Sequence, residues 1–258
     1  MKRDDSTKDA RQAVIWGRHG VAEALRAGHP VNRIYFSAAA GGPQVDEIKN
    51  LARERKVRFD FVDAGKLGKL TDGGDHQDVV ARISPVAYAD LDEVLQRVAA
   101  LERATVVVLD QVKYARNIGM ALRTAVGAGA VAVLLPTRGS MLANDEIVRA
   151  SAGAIFRLPV VPSANLRDDL EKLKACGFWT YGLDAERGEN LYGMRWPGRR
   201  VLVVGNESKG LRPSIRKAVD ACVRIPLAAD LDSLNVAVAL GVALFEGVRQ
   251  DGESMKER

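Results

Sequence analysis

Three pairs of polar side chains interrupt a largely apolar second half of the chain. Asn117 and Arg123 lie on or beside the helix that follows TVVVLD. Asn206 and Glu207 directly follow VLVVG, and Ser233 with Asn235 opens a helical segment after VRIPL. Amides and a hydroxyl orient polar ligands, and a guanidinium favours an anion. In parallel α/β sheets ligands bind outside the carboxyl ends of the strands, and all three pairs fall at such ends. Singly, each has an ordinary reading: Ser233 caps a helix, Arg123 is solvated, Glu207 pairs with a lysine. Three pairs at equivalent strand ends point to one shared site.

The elements that must position them are legible. TVVVLD, AVAVLLP, RLPVV, FWTYGLD, RVLVVGNE and ACVRIPL are continuous apolar runs, the pattern of strands buried on both faces of a parallel sheet. NIGMALRTAVGAG, EIVRASAGAI, NLRDDLEKLKACG and LNVAVALGVALFEGVRQ alternate with them as helices, which predicts a doubly wound α/β domain over residues 104–250. Ahead of it, VAEALRA and QVDEIKNLARERK read as helices, and RIYFSA, VRFDFVD and HQDVVARISP as strands, giving a small α/β domain over 14–88. Residues 89–103 read as a helical linker in which Asp90 and Glu93 have capping-box spacing. Residues 1–13 and 251–258 read as tails.

Several function classes are disfavoured. The chain has 258 residues, 47% of them hydrophobic and 28% charged, enough for one large domain or two modest ones. Gly127-Ala128-Gly129 precedes a strand instead of following one, so it reads as a helix C-cap and not as a dinucleotide loop. GNESKG at 205–210 lacks the phosphate-loop spacing, with Leu211 where a magnesium-holding Ser or Thr belongs. Cys176, Cys222, His19, His29 and His76 have no zinc-ligand spacing, so no metal is expected. The net charge of +5 mildly favours an anionic partner such as nucleic acid. No run approaches the roughly 20 apolar residues of a membrane span, and MKRDDSTKDARQA has no apolar core for a secretory signal. The expected location is cytoplasmic.

The three clusters resemble the three motifs of the SpoU family of RNA ribose 2′-O-methyltransferases, within the SPOUT superfamily. They are LDQVKYARNIGMALRTAVGAGA at 109–130, VLVVGNESKGL at 201–211 and IPLAADLDSLNVAVALGVALFE at 225–246. GRHGVAEAL at 17–25 and DHQDVVARI at 75–83 resemble the L30e-like RNA-binding domain of the ribosomal-RNA branch, and the likeness spans about residues 14–250. Within the family the nearest branch is the one acting on a guanosine of 23S ribosomal RNA. Two departures stand out: the usual Asp-Pro-x-Asn is Tyr114-Ala115-Arg116-Asn117, and Ser208 replaces a common glycine.

The resemblance implies a trefoil-knotted C-terminal domain that holds S-adenosylmethionine at Leu135, Pro136, Gly205, Asn206, Ile225, Leu227 and Leu234. Small Gly205 is expected to admit ligand close to the backbone. The resemblance likewise implies a catalytic site at Asn117, Arg123, Glu207, Ser233 and Asn235, with Arg123 expected to stabilise developing alkoxide character or to act as base. A charged guanidinium has no free lone pair and a pKa above about 12, which favours the electrostatic role. Arg18, His19, His76 and Gln77 are expected to face RNA. Transfer RNA as substrate, and a non-catalytic RNA-binding or ribosome-assembly protein, are the alternatives. The apolar circumference of the last helix, from Val236 to Phe245, predicts a homodimer.

Overall fold

The computed structural model describes residues 13–138, 145–228 and 232–256, which divide into two compact units. The first unit contains β1 (Ala13–Trp16), α1 (Arg18–Arg26), β2 (Val31–Ser37), α2 (Pro43–Glu54), β3 (Phe59–Val62), α3 (Ala64–Leu70) and β4 (Val79–Ile83). Its sheet runs β1-β4-β2-β3, antiparallel except for the parallel pair β2/β3. Ile15, Leu25, Ile34, Phe36, Ile48 and Ile83 fill its core. Strand β1 and helix α3 were not legible as elements in the sequence, being four and seven residues long. Of the expected N-terminal tail, residues 1–12 lie outside the described residues.

A segment from the second half of the chain joins this unit. Helix α6 (Asp145–Ala150) and the turn after it pack with β1 and α1. The Arg149 guanidinium lies 3.9 Å from the centre of the Trp16 ring, and the rings of Phe156 and His29 are 4.4 Å apart. Arg157 pairs with Glu23 at 3.6 Å. Gly153 has φ +82°, and a Cβ there would stand 2.5 Å from the Cβ of Glu23. The sequence division at Tyr88–Ala104 assigns these residues to the other domain, because covalent order hides this packing.

The second unit holds α4 (Leu91–Val98), β5 (Ala104–Leu109), α5 (Ala115–Gly127), β6 (Ala132–Pro136), β7 (Val160–Ser163), α7 (Leu166–Ala175), β8 (Trp179–Leu183) and β9 (Glu189–Asn190). It continues with β10 (Arg199–Val204), α8 (Pro213–Arg216), β11 (Ala221–Arg224) and α9 (Val236–Lys256). The sheet order is β7-β6-β5-β10-β8-β11-β9 and every pair is parallel. All six residues of β5 are buried, as the apolar run TVVVL requires. The expected helix C-cap is present: α5 ends at Gly127, and Gly129 takes φ +72°.

Helix α4 is part of this core and not a free linker, since Leu91, Val94 and Val98 pack with Val106, Leu170 and Phe178. Its cap is half of the expected box. Asp90 Oδ1 accepts from the Asp92 amide at 2.8 Å, while Glu93 pairs forward with Arg97 at 3.9 Å. The expected tail after residue 250 is instead helical through Lys256. There Asp251 receives Arg200 Nη2 at 2.5 Å, and the Arg200 side chain is only 3% exposed. Gly247 leaves room for it, because a Cβ would stand 2.8 Å from the guanidinium carbon. Asp251→Ala strands a buried cation and is expected to destabilise the protein by about 3–5 kcal/mol in urea unfolding. A loss under about 1 kcal/mol would show that the pair does not anchor α9.

Candidate functional site

Glu207 leaves the carboxyl end of β10 and gathers the loop after β5. Its Oε1 accepts from Asn117 Nδ2 at 2.9 Å and from the backbone amides of Tyr114 at 3.2 Å and Lys113 at 3.3 Å. Its Oε2 accepts from Asn206 Nδ2 and from the Lys113 amide, both at 3.3 Å. Partial burial penalises the charge, but these hydrogen bonds outweigh it and hold the Glu207 carboxyl below the ordinary glutamate value. Asn235 Nδ2 donates to Asn117 Oδ1 at 3.1 Å, and Asn235 Oδ1 caps α9 by accepting from the Ala237 amide at 2.9 Å. Residues from three distant motifs thus form one chain: Asn235, Asn117, Glu207.

Asn206 shapes the next turn. Its Nδ2 donates to the Gln111 carbonyl at 2.9 Å, and its Oδ1 accepts from the amides of Ser208 and Lys209 at 3.1 and 3.2 Å. Asn206 and Gly210 exchange backbone hydrogen bonds of 3.0 and 2.9 Å, closing the loop on itself. That closure places a second constraint on Gly205. A Cβ at Gly205 would lie 2.2 Å from the backbone carbon of Gly210, so the protein's own chain excludes a side chain there before any ligand does.

Beside this network lies a cavity of about 300 Å³, within the size range of small-molecule sites. Of the residues expected to hold cofactor, Gly205, Asn206, Ile225, Leu227 and Leu234 line it, and so does Ser233 of the expected catalytic set. Leu135 and Pro136 do not; both are buried in β6. The wall adds Asp184 and Arg216, paired at 2.7 Å, which sequence reasoning passed over. It also passed over Asp110, fully buried at the end of β5, whose Oδ1 accepts from Arg212 Nε at 2.7 Å. A lone acid ending each of the runs TVVVLD and FWTYGLD was the available signal. Apolar Ile225, Leu227 and Leu234 suit an adenine ring, and the polar rim suits an amino-acid or ribose portion. The donor set therefore fits S-adenosylmethionine.

Arg123 stands apart from the network. It is exposed on α5 and makes no hydrogen bond or ion pair among the described residues. Six residues beyond Asn117, it lies about 120° away from it around the helix. In the first unit, Gln77 Oε1 accepts from the Arg18 amide at 3.3 Å and the Gln77 carbonyl from Arg18 Nε at 3.1 Å. His76 Nδ1 accepts from the Asp78 amide at 3.1 Å, and exposed His19 meets Gln44 at 3.4 Å. Arg18, His76 and Gln77 thus share one loop junction, with Asp78 paired to Arg18 at 3.6 Å, which partly offsets the acid's charge.

Replacing Glu207 by Gln puts an amide donor against amides that already donate. Glu207→Gln is therefore expected to lower kcat by at least about tenfold while the unfolding midpoint moves little. A carboxyl with a depressed folded value contributes fully above its unfolded value and is lost as pH falls through the folded one. The Glu207-dependent activity should thus persist to pH values below the ordinary glutamate range, and wild-type-like rates for the Gln variant would remove Glu207 from this role.

The comparisons with known proteins come from the same residues. The SpoU rRNA methylase family matches residues 104–245, and the RNA 2′-O ribose methyltransferase substrate-binding family matches 14–89. A protein of Staphylococcus saprophyticus assigned to the TrmH family tRNA/rRNA methyltransferases is 34% identical over 93% of this chain and 96% of its own length. An AdoMet-bound rRNA methyltransferase from Sinorhizobium meliloti superposes with a TM-score of 0.76 at 27% identity, covering 94% of this chain and 88% of that one. The SpoU methyltransferase AviRb from Streptomyces viridochromogenes, in complex with AdoMet, gives 0.77 at 26% identity over 98% and 95% of the two chains. With its three methylase motifs joined through Asn235, Asn117 and Glu207, and with the substrate-binding family matched earlier in the sequence, the chain belongs to the SpoU family of RNA methyltransferases.

Proposed function

We propose that this protein transfers the methyl group of S-adenosylmethionine to a ribose 2′-hydroxyl of RNA, and that its target is a guanosine of 23S ribosomal RNA. The Asn235–Asn117–Glu207 chain beside the cavity carries the reading, because a structural sheet has no need of it. When bound, the cofactor supplies an activated methyl group on a cationic sulfur. The protein's part is positional. Gly205, Ile225, Leu227 and Leu234 bound the cavity, and Ser233 borders its rim. Asn117 and Asn235 hold each other in fixed rotamers and orient the nucleotide. Such positioning alone supplies several kcal/mol of a barrier, on the order of the effective-molarity gains of intramolecular reactions. Arg123 lowers the energy of the oxygen as it gains negative character. The L30e-like fold expected of the first unit favours ribosomal RNA, since such domains read looped RNA by shape; transfer RNA is the second reading, favoured by the mixed tRNA/rRNA description of the Staphylococcus relative.

The active species in this reading is a homodimer. Helix α9 buries Ala237, Leu240, Ala243 and Leu244 but exposes Val238, Phe245 and Val248, the first two by 52% and 50%. Those three lie along one stripe at helical spacing. A Cβ at Gly127 of α5 would meet Phe245 at 4.0 Å, so Gly127 borders the stripe, and Arg123 lies one turn before Gly127 on the same face. A second copy packed there receives Arg123 at its own site, which accounts for an arginine turned away from Asn117.

Mapping 2′-O-methyl groups in RNA from a deletion strain, with and without the restored gene, tests the reaction; an unchanged map overturns it. Arg123→Ala should leave S-adenosylmethionine affinity within a few-fold and remove most methyl transfer, with Arg123→Lys nearly as damaging. Phe245→Glu should halve the mass seen by light scattering and lower activity in step; an active species at the 27.9 kDa single-chain mass would sink the dimer.

A further inference from the structure

Tyr114 stands at the entrance to α5 with 64% of the residue exposed, the most exposed of the large hydrophobic residues described. Its backbone is not loose. The Tyr114 amide is held by Glu207, and the Tyr114 carbonyl accepts from the amides of Asn117 and Ile118 at 2.9 and 3.1 Å. A flat aromatic ring is thus presented to solvent on a pinned turn next to the Asn117–Glu207 chain. Around it in sequence and in the adjoining loop stand Lys113, Arg116 and Lys209, all exposed and none with a side-chain partner among the described residues. The carboxylate that touches this turn, Glu207, has both oxygens committed to Asn117, Asn206 and backbone amides, so it leaves these cations unneutralised.

An exposed aromatic face among unpaired cations fits one kind of partner, an unpaired nucleotide stacked on the ring with its phosphates among the cations. We infer that Tyr114 is a stacking platform for an unpaired base of the RNA substrate, with Lys113, Arg116 and Lys209 holding the adjoining phosphates. The inference rests on the RNA methyltransferase reading and adds a substrate-binding residue to it. The position is also where this chain departs from Asp-Pro-x-Asn: an acid would repel phosphate there, and a tyrosine does not.

The test uses the full-length protein. Anisotropy of a short fluorescein-labelled single-stranded RNA of mixed sequence measures affinity, and RNA extracted from a strain lacking the gene serves as methyl acceptor for KM and kcat. Tyr114→Ala and Tyr114→Leu should each weaken RNA binding and raise KM by about tenfold, the size of one base–aromatic stack. Tyr114→Phe and Tyr114→Trp should stay within about threefold of wild type, because they keep the π-face that leucine lacks. S-adenosylmethionine affinity by calorimetry and the dimer mass should be unchanged in all four. Wild-type RNA affinity in the Ala variant overturns the inference. So does loss of the dimer, which would make the ring an interface between copies, or loss of cofactor binding, which would make it structural. Failure of the wild-type protein itself to bind S-adenosylmethionine would bring down the methyltransferase reading instead.

Discussion

Everything at the site depends on one carboxylate. Glu207 is placed by β10, yet four of the groups it holds belong to the turn after β5, to α5 or to its own neighbour Asn206. A hydrogen bond to a charged acceptor is worth about 1.5–3 kcal/mol, roughly twice a neutral one. Several such bonds on one group fix the entry to α5, and with it the rotamer of Asn117. Asn117 in turn fixes Asn235, which caps the last helix. The same charge that binds the turn therefore sets the geometry of all three motifs.

That arrangement needs the β10 loop to be tight. Gly205 and Gly210 are in near contact through their backbones, and Asn206 bridges the turn from within. A second carboxylate, Asp110, closes the other side by taking the backbone amide of Arg212 and its guanidinium together. Buried charge pairs of this type contribute little net stability, but they enforce one geometry, since any other leaves a charge unpaired. The same logic holds at the far end of the sheet, where Arg200 and Asp251 hold α9 against β10.

Rigidity at the base of the site contrasts with what it offers to solvent. The side chains of Lys113, Tyr114, Arg116, Arg123 and Lys209 are exposed, while the backbone beneath Tyr114 is pinned. Energy spent on fixing backbone in the free protein lowers the ordering cost when a polyanion binds. The exposed stripe of Val238, Phe245 and Val248 lies on the opposite end of the same reasoning: apolar surface left open on a helix whose other face is full.

The sequence by itself determined the longer elements and the fold class. The apolar runs VVVL of β5 and VLVV of β10 suit the middle of a parallel sheet, so these strands were legible from the sequence pattern. The three polar pairs were legible for the converse reason, since such side chains are costly at buried strand ends without a task. Tertiary structure decided the rest. Whether Asn117 meets Glu207, ninety residues away, depends on β5 and β10 being neighbours, which periodicity does not encode. Short elements such as β1 and α3 carry too few residues for a period to emerge, and residues 145–157 side with the first unit through packing on Trp16, Glu23 and His29. Gly205 shows the limit most clearly: in the sequence its small size points to the approach of a ligand, and only the folded chain shows that the backbone of Gly210 already stands where a Cβ would go.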